Sequence, residues 1–597
     1  MKNNLPSHLK PYIVTQKNSE YTPEDHAVWR FALRQLTFFL KTNAHPFYLE
    51  GLKKTGITVD KIPSIDSINT ALQKIGWHAC PVSGFIPPSV FMELQSYSVL
   101  PIAAEIRSVD HILYTPSPDI IHEAAGHAPF LAHKDYSDYL KSYANIAKKA
   151  LLSFEDLDLY EKIRDLSNLK ESKSSTDKQI QNAESELKTV IKNTSFISEA
   201  AYLGRMNWWT AEYALFGDIN NPSILGAGLL SSILEAESCL KPDVKKIPLT
   251  VDCTNYNYDI TKPQPQLFVA KDFKNLHNTL NEFSKNLVCN IGGDKAVDKA
   301  KQSKLVNTVE LNSGLQISGK LVSSISCNNA SADSLGGALA DSLGSMGEDF
   351  IKNNHTNIFL KFDGPTQLSY KNQELKGHDK NYHVTGYSTP IGFVGNVDLS
   401  QTSKKELKDL NIEVGKKTLL NFDSNIKLNG TVVDLLFKDN KLLLISFKNC
   451  CVKYKDKILF DPSWGAFDLA VGTKVLSVFA GPADTAAYNS DINVQPKYIT
   501  KIQASIDQQN YFLLYEELYQ VRQSFLKKNN ISKNLDSLFK KIKNQKLHWL
   551  ILLELYELSI WSDSPINPDV LSLLNSLDLD KHDKCCLKKG LSIAKQI

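Results

Sequence analysis

The spacing of apolar residues changes twice along this chain of 597 residues, and this limits the fold more than any other feature. Up to about residue 290, apolar residues return every three or four positions, as in the stretch AVWRFALRQLTFFLKT at 27–42, which is typical of amphipathic helices. From about 305 the runs become short and alternating, with Gly, Asn and Asp between them, which predicts antiparallel strands. Helical spacing returns near residue 505.

The length adds a second limit, because one hydrophobic core rarely serves more than about 250–300 residues. We therefore predict a multidomain α+β protein. Its parts are a mainly α-helical domain at residues 1–295, a β-rich domain of unknown function at 305–500 and a helical C-terminal region at 505–597. Within the first part, the mixed-charge residues from about 150 to 195 predict a helical insertion with an exposed turn.

Charge and cysteine content exclude several classes of protein. The formal net charge is only +3, which argues for neither nucleic acid nor membrane partners. The N-terminus lacks the apolar segment of a signal peptide, and the longest apolar run, 548–561, is broken by Glu554 and Glu557. Nine cysteines form no Cys-x-x-Cys pair, which suits a reducing compartment. We therefore expect a cytoplasmic protein.

Two histidines and a distant carboxylate form a candidate metal site. His122 and His127 lie in Ile-His-Glu-Ala-Ala-Gly-His, and Glu212 lies in Trp-Trp-Thr-Ala-Glu. Two imidazoles and one carboxylate leave metal positions open, which suits non-haem Fe(II) oxygen chemistry. In a helical zinc protease motif the two histidines stand at i and i+4, about 40° apart around the helix. His122 and His127 stand at i and i+5, about 140° apart on a regular helix, so this spacing argues against a zinc protease. A metal-dependent hydrolase, with Glu123 as general base, stays as the alternative from a different class.

Three segments resemble the aromatic amino acid hydroxylases, which are iron monooxygenases that depend on a tetrahydropterin. Pro118–His127 reproduces the run Pro-Asp-Ile-x-His-Glu-x-x-Gly-His, and Trp208–Glu212 matches Trp-x-Thr-x-Glu. Gly226–Ser232 carries Gly-Ala-Gly-Leu-Leu-Ser-Ser. The resemblance covers about Trp77 to Leu287. It implies that residues 1–295 are a catalytic domain that uses Fe(II), O2 and tetrahydrobiopterin or a related tetrahydropterin.

The resemblance also implies a role for individual residues. The metal ligands would be His122, His127 and Glu212. The pterin would contact Gly84, Phe85, Ile86, Phe91 and Glu123, with Phe91 stacked on its ring. The amino acid substrate would contact Arg107, Thr115, Pro118, Trp208, Gly228 and Ser231. In that pocket Arg107 would pair with the carboxylate, and Pro118 and Trp208 would sandwich the ring. No catalytic residue beyond the iron site is implied.

The chain departs from the family pattern at two places. Pro87-Pro88 replaces the small polar pair that usually follows the pterin loop, which removes backbone donors. Asn207 stands where a tyrosine commonly precedes the tryptophan. Both departures concern the details of pterin binding.

The expected reaction is conversion of phenylalanine to tyrosine with O2, as in a phenylalanine 4-monooxygenase. Tyrosine hydroxylases tend to carry an acid at the position of Ile260, so this apolar residue favours phenylalanine. Tryptophan or tyrosine hydroxylase is the alternative within the family. Residues after about 300 carry no recognisable constellation, and a homo-oligomer could form through this half. We expect a fragment ending near Lys299 to bind iron and hydroxylate.

Overall fold

The computed structural model describes most of the chain. It covers residues 5–84, 86–113, 115, 118–171, 175–258, 263–326, 357–489, 506–543, 545 and 548–596, with the backbone alone at 171 and 506–510. Phe85 and Ile260, two positions of the predicted pterin and substrate sites, lie outside these residues. The fold mixes helices and strands, as an α+β protein does. Among the described residues, no helix is both long enough and apolar enough to cross a membrane.

The first 303 residues are mainly helical. The helices are α1 Pro23–Asn43, α2 Phe47–Lys54, α3 Ile65–Gln73, α4 Pro88–Ser96, α5 Ala128–Leu131, α6 Lys134–Ala147, α7 Phe154–Glu171, α8 Asp177–Asn193, α9 Glu199–Asn207, α10 Ala227–Ser231, α11 Ile233–Cys239, α12 Phe273–Ser284, α13 Val288–Ile291 and α14 Gly293–Ser303. Helices α7 and α8 lie side by side and account for the predicted insertion. Exposed ion pairs such as Lys162–Glu186, at 2.7 Å, join them.

Two small sheets complete this part. The strands are β1 His78–Val82, β2 Val99–Ala103, β3 Leu215–Phe216, β4 Ser223–Ile224, β5 Lys245–Pro248 and β6 Gln266–Ala270. β1 and β2 pair in parallel, and the other four have the order β4-β3-β6-β5. Because parallel strands end at the same edge, the loops that follow β1 and β2 lie side by side. There the backbone N–H of Gly84 donates to Glu105 Oε2 at 3.0 Å.

Helix α1 begins at a capping box, in which Thr22 accepts from the N–H of Asp25 and the Asp25 carboxylate accepts from the N–H of Thr22. Its sequence predicts one apolar face, but most of the helix is buried, including Arg30 and Arg34. A helix buried on more than one face must be covered from several sides.

The C-terminal helices supply that cover. They are α17 Ile506–Leu526, α18 Ser532–Ile542, α19 Trp549–Trp561, α20 Asn567–Asn575 and α21 Lys581–Ala594. Helix α19 is buried from Trp549 to Ser559 and shares one hydrophobic cluster with α1 and with residues up to Leu287. Glu554 pairs with Arg30 and Glu557 pairs with Arg34 inside this cluster. The expectation that a fragment ending near Lys299 keeps its function conflicts with this packing, because such a fragment would expose α1.

The β-rich part has cores of its own. Its strands are β7 Val306–Leu311, β8 Leu315–Ser326, β9 Asn357–Tyr370, β10 Gln373–Glu374, β11 Gly386–Pro390, β12 Lys417–Asn421, β13 Ile426–Lys438, β14 Lys441–Tyr454, β15 Lys457–Phe460, β16 Phe467–Ala470 and β17 Val475–Ala480, with short helices α15 Lys404–Asp409 and α16 Thr485–Tyr488. The pairing is antiparallel, as the alternating pattern predicts. β10-β9-β8-β7-β17 with β11 form one sheet, and β12-β13-β14-β15 with β16 form a second.

The two sheets build two hydrophobic clusters, and each cluster also takes residues from the other sheet, such as Leu443 in the first and Phe359 in the second. The first cluster contains Leu321, Phe362 and Val478 together with Val288 and Ala300 from α13 and α14. The second contains Phe422, Phe447 and Phe467. The β-rich part therefore adjoins the N-terminal helices through α13 and α14 but builds most of its core from its own strands.

Candidate metal centre and its cavity

A π-helical turn brings the two histidines together. The turn spans His122–His127, and the N–H of Ala128 bonds to the carbonyl of Glu123, five residues earlier. Because a π turn closes i to i+5 rather than i to i+4, residues five apart lie on the same side of it. The two imidazole ring centres are 5.0 Å apart. The angle of about 140° expected for a regular helix is therefore wrong here, since the helix is not regular at this point.

A second π turn, Trp208–Glu212, carries the carboxylate. Glu212 Oε2 lies 3.3 Å from His122 Nε2, and Glu212 Oε1 lies 3.2 Å from His127 Nε2. The amide of Asn207 also donates to Glu212 Oε1, at 3.3 Å. The donor atoms of two imidazoles and one carboxylate thus face one another in a mostly buried position. This donor set fits a divalent transition metal with open coordination positions.

The carboxyl group of Glu123 also lies near the two histidines and is an alternative to Glu212 as a metal ligand. One ligand atom each from His122, Glu123 and His127 lies within 4.8 Å of the other two. Burial, with the nearby Glu212 and Asp119, outweighs the influence of His127 and raises the pKa of Glu123 to about 8. Burial also acts to raise the pKa of Glu212, but His127 and His122 lower it well below its ordinary value. Glu212 is therefore the ionised carboxylate of the pair, which is the form that metals bind.

Ser231 fixes the tautomer of the first histidine. Its hydroxyl donates to the carbonyl of Ala227 at 2.8 Å and lies 3.0 Å from His122 Nδ1. Since that hydroxyl has a single hydrogen, the Nδ1–H of His122 must be the donor to Ser231. The Nε2 lone pair is then left for a metal, the arrangement that outer-sphere partners of metal-binding histidines usually produce.

Asp119 links Arg107 to the same turn. Arg107 Nε and Nη2 each donate to the Asp119 carboxylate at 2.8 Å, and Nη1 donates to the carbonyl of Ser231 at 3.1 Å. Asp119 Oδ1 also accepts from the backbone N–H of His122 at 3.0 Å. Although burial opposes ionisation, Arg107 lowers the pKa of Asp119. No role for Asp119 is predicted from the sequence, although its place before Ile-Ile-His is the available signal.

Two glycines allow the ligand-bearing segments to touch. A Cβ at Gly126 would lie 2.6 Å from the carbonyl oxygen of Ala227, and a Cβ at Gly228 would lie 2.7 Å from the ring of Tyr213. Both are closer than real Cβ contacts allow. The π turn of the histidines therefore packs directly on α10, which carries Ser231.

The predicted site residues that the structure describes line one cavity of about 1300 Å³. They are Gly84, Ile86, Phe91, Arg107, Thr115, Pro118, His122, Glu123, His127, Trp208, Glu212, Gly228 and Ser231. Their side chains come from segments as far apart in sequence as the β1 loop and α10. The cavity is thus the common location of the three predicted sites.

The pterin loop differs in detail from the prediction. The Gly84 N–H is already bonded to Glu105, so this donor is not available to a pterin in the described conformation. Pro87 and Pro88 begin α4, where a helix tolerates prolines because its first N–H groups have no internal partner. The proline pair therefore starts the helix that presents Phe91 to the cavity.

Trp208 cannot sandwich a substrate ring as predicted. Its indole stacks on Tyr213 with ring centres 4.3 Å apart and on Tyr258 with ring centres 4.2 Å apart. The interplanar angles are 18° and 9°, so the two tyrosines occupy opposite faces of the indole. The predicted sandwich is wrong for this conformation, because both faces are covered. An edge of the indole remains for contact with a ligand.

Further lining residues of the cavity come from segments for which the sequence predicts no role in the site. Leu157, Tyr160 and Ile163 of α7 line it, as do residues of β7 and the segment 479–486 that leads into α16. The insertion and the β-rich part therefore both border the cavity. Nothing in their sequences indicated this, because it depends on how the parts of the chain pack together.

Comparison with known proteins agrees with the site. The family model for biopterin-dependent aromatic amino acid hydroxylases matches residues 14–150 and 195–299, on either side of α7 and α8. Phenylalanine-4-hydroxylase of Pseudomonas aeruginosa is 27% identical over 266 residues, which are 44% of this chain and 84% of the relative. The enzyme of the same name from Mesorhizobium japonicum is 26% identical over 286 residues, 47% of this chain and 88% of the relative.

Among solved structures, phenylalanine hydroxylase of Chromobacterium violaceum with bound iron(III) and 7,8-dihydrobiopterin has a TM-score of 0.37 and 24% identity over 46% of this chain and 85% of that one. The predicted site residues that line the cavity all lie within the matched segments, whereas α7, β7 and the segment 479–486 lie outside them. The match to the biopterin-dependent aromatic amino acid hydroxylases thus lies in residues 14–150 and 195–299, the two segments that carry His122, His127 and Glu212.

Proposed function

We propose that this chain hydroxylates the ring of phenylalanine to give tyrosine, with Fe(II), a tetrahydropterin such as tetrahydrobiopterin, and O2. The observation that carries the proposal is the approach of the ionised Glu212 carboxylate to within 3.3 Å of His122 Nε2 and 3.2 Å of His127 Nε2. The name phenylalanine-4-hydroxylase, borne by the relatives from Pseudomonas aeruginosa and Mesorhizobium japonicum, supports the choice of substrate.

The ligands would act through their protonation states. His122, held with its proton on Nδ1 by Ser231, offers Nε2, and Glu212 offers a negative charge. Bound iron and a reduced pterin would together supply the electrons that activate O2. Asn207 keeps Glu212 in place through the amide hydrogen bond to Oε1.

Arg107 would bind the substrate carboxylate. Three of its five N–H groups are used by Asp119 and the carbonyl of Ser231. One N–H on each of Nη1 and Nη2 is left, and a planar pair of donors suits a carboxylate. The pair with Asp119 holds the guanidinium in position before the substrate arrives. Thr115 and Gly228 border the same cavity and would complete this pocket.

Glu123 and Phe91 are the described groups proposed to contact the pterin. Since burial raises the pKa of Glu123 to about 8, this carboxyl group is mostly protonated at neutral pH and can donate a hydrogen bond to a ligand. The Oε2 atom is buried without a hydrogen-bond partner among the described residues. Phe91 and Ile86 supply apolar surface in the same cavity.

The hydrolase alternative requires Glu123 to act as a general base. A protonated carboxyl group is a poor base at neutral pH, so the raised pKa of Glu123 weighs against that reading. Tryptophan and tyrosine hydroxylase remain the alternatives within the family.

We further propose that residues 1–295, together with the C-terminal helices, form the catalytic unit and that 305–500 forms a separate β-rich domain. The support is the cluster that α1 shares with α19 and the two clusters of the sheets. A cytoplasmic location belongs to the same proposal, and the cysteines in the described part of the chain are free thiols. Assembly through the C-terminal half stays a prediction that size-exclusion chromatography can test.

The test of the proposed function is substitution of the ligands. His122→Ala, His127→Ala and Glu212→Ala should each lose iron and tyrosine formation while the circular dichroism spectrum is retained. His277→Ala is the matched control, because this histidine lies on α12 and bonds to the carbonyl of Asp135 outside the cavity lining. Full turnover by an iron-free ligand variant would contradict the assignment.

A further inference from the structure

A second group of metal-binding side chains lies in the β-rich part, among residues that the family match does not cover. His378 and His383 belong to the loop between β10 and β11, and Asp468 belongs to β16. One ligand atom from each lies within 4.8 Å of the other two. We propose that these three residues bind a zinc ion that joins the two sheets of the β-rich part.

The distances suit a tetrahedral ion. His378 Nδ1 lies 3.2 Å from His383 Nε2 and 3.9 Å from Asp468 Oδ2. Zinc binds imidazole nitrogen at about 2.0–2.1 Å, so neighbouring nitrogens of a tetrahedral site lie about 3.3–3.4 Å apart. The two imidazoles already have that separation. The 3.9 Å between His378 Nδ1 and Asp468 Oδ2 exceeds this separation by about half an ångström.

The backbone holds both histidines against one strand. The carbonyl of His378 accepts from the N–H of Leu368 at 3.0 Å, and the carbonyl of His383 accepts from the N–H of Thr366 at 3.1 Å. Both donors belong to β9. These two hydrogen bonds hold the backbone of the loop against β9 at both histidines.

Hydrogen bonds also hold the side chain and the backbone of Asp468 in place. The Ser446 hydroxyl donates to Asp468 Oδ1 at 2.5 Å, which leaves Oδ2 turned towards His378. The hydroxyl of Tyr387 donates to the backbone carbonyl of Asp468 at 2.6 Å. These contacts orient the carboxylate as outer-sphere partners of a metal site commonly do.

The site is buried on one side and open on the other. His383 and Asp468 are buried, whereas the side chain of His378 is 15% exposed. Tyr382 packs edge-on against both imidazole rings and is itself half exposed. Three protein ligands and an open side leave the fourth position of a zinc ion for water.

A bound ion would connect elements of two sheets. β9 and β11, which flank the histidine loop, belong to the six-stranded sheet, and β16 belongs to the five-stranded sheet. Because an ion that binds only the folded state stabilises that state, zinc should raise the melting temperature of the β-rich part.

Zinc stoichiometry of the full chain tests the proposal. Because zinc can also occupy the iron site, the protein should be stripped with a chelator and titrated with Zn²⁺ as wild type, Glu212→Ala, His378→Ala and the double variant. We expect about two tightly bound zinc ions per wild-type chain, and about one fewer in each His378→Ala variant than in the protein from which it is made. In the Glu212→Ala background, His378→Ala should weaken zinc binding by more than the 10–100-fold typical of losing an outer-sphere partner.

Two controls make the result decisive. His277→Ala, which removes a histidine outside both sites, should keep the wild-type stoichiometry. If His378→Ala does not fold, Asp468→Asn is the substitute, since the amide is isosteric and can still accept from Ser446. Co²⁺ in the Glu212→Ala protein should give the intense visible absorption of tetrahedral coordination. Equal zinc binding by folded Glu212→Ala and the folded double variant, or no zinc bound by folded Glu212→Ala, would overturn the proposal and leave a hydrogen-bonded trio, because zinc held by His122, Glu123 and His127 is the same in both variants.

Discussion

The C-terminal helices and the β-rich part both follow the hydroxylase segments in sequence, but only the helices share their core. Helix α19 is buried from Trp549 to Ser559 in the cluster that contains α1. The sheets fill two other clusters, and their link to the N-terminal helices runs through α13 and α14. Distance along the chain is therefore a poor guide to which segments the catalytic part needs for its stability.

The buried charges on α1 explain why the C-terminal helices, and not the β-rich part, pack against this helix. Arg30 and Arg34 are buried and need anionic partners, since an unpaired buried charge is costly. Arg30 donates to Glu554 at 2.5 and 2.8 Å, and Arg34 donates to Glu557. The β-rich part offers no such pair to α1 among the described residues. The C-terminal helices thus supply both apolar cover and counter-charge.

Removing residues 506–597 should have the largest effect. We expect the shortened chain to aggregate and to bind no iron, because the apolar face of α1 and its two arginines would be exposed. Solubility, iron content and the melting curve measure this. A soluble, iron-loaded chain without residues 506–597 that hydroxylates at the wild-type rate would break the comparison and show that the catalytic part does not need the C-terminal helices.

Glu554→Ala should lower the free energy of unfolding by about 3–5 kcal/mol, since it leaves Arg30 and Arg522 without their shared partner. The matched control is Glu517→Ala, whose exposed pair with Lys541 should contribute no more than about 1 kcal/mol. Chemical denaturation followed by circular dichroism measures both. Equal effects of the two substitutions would show that the buried network is unimportant.

A pair of core truncations sharpens the comparison. Leu550→Ala in α19 should lower unfolding free energy by about 2–5 kcal/mol and Phe447→Ala in β14 by about 3–5 kcal/mol. Only Leu550→Ala should reduce iron retention on heating, because its cluster holds the ligand-bearing segments. Calorimetry with parallel iron analysis tests this. Loss of iron in Phe447→Ala before Leu550→Ala would mean that the β-rich part supports the site more than the helices do.

The smallest effect concerns Glu235 on α11, which accepts from the Tyr213 hydroxyl at 2.6 Å. Burial raises its pKa to about 7 from an ordinary 4.5, so the folded state holds a proton that the unfolded state releases. The contribution of the Glu235 carboxyl group to the free energy of unfolding is fully present below pH 4.5 and is lost as the pH rises through 7. Glu235→Gln should therefore stabilise the helical core by up to about 3 kcal/mol at pH 8.5 and hardly at all at pH 4.5. A gain of equal size at both values would contradict the raised pKa.

Much of the helical and strand content could be predicted from sequence, because periodicity reports which face of an element is buried. The 27–42 pattern predicts α1, and alternation predicts the antiparallel sheets. The burial of Arg30 and Arg34 could not be predicted, since one segment's pattern does not name its partners. Glu554 and Glu557 were visible as charges in an apolar run, but their partners lie more than 500 positions away.

The residues of the candidate site could be selected from sequence, but their geometry could not. His122, His127 and Glu212 stand in short runs that resemble a known family. The two π turns that carry them pack closely at Gly126 and Gly228, and the sequence does not show this packing. The covered faces of Trp208 depend on Tyr258, 50 residues later in the chain. The second histidine group went unnoticed because Asp468 joins it only in the folded sheets.

Product analysis with each aromatic amino acid tests the proposed chemistry most directly. The purified full-length protein is given Fe(II), a tetrahydropterin and O2 with phenylalanine, tyrosine or tryptophan in turn, and products are identified by mass spectrometry. We predict tyrosine from phenylalanine as the main product, with none when iron or pterin is omitted. Failure of iron-loaded protein to hydroxylate any of the three, or product formation that persists without pterin, would contradict the assignment.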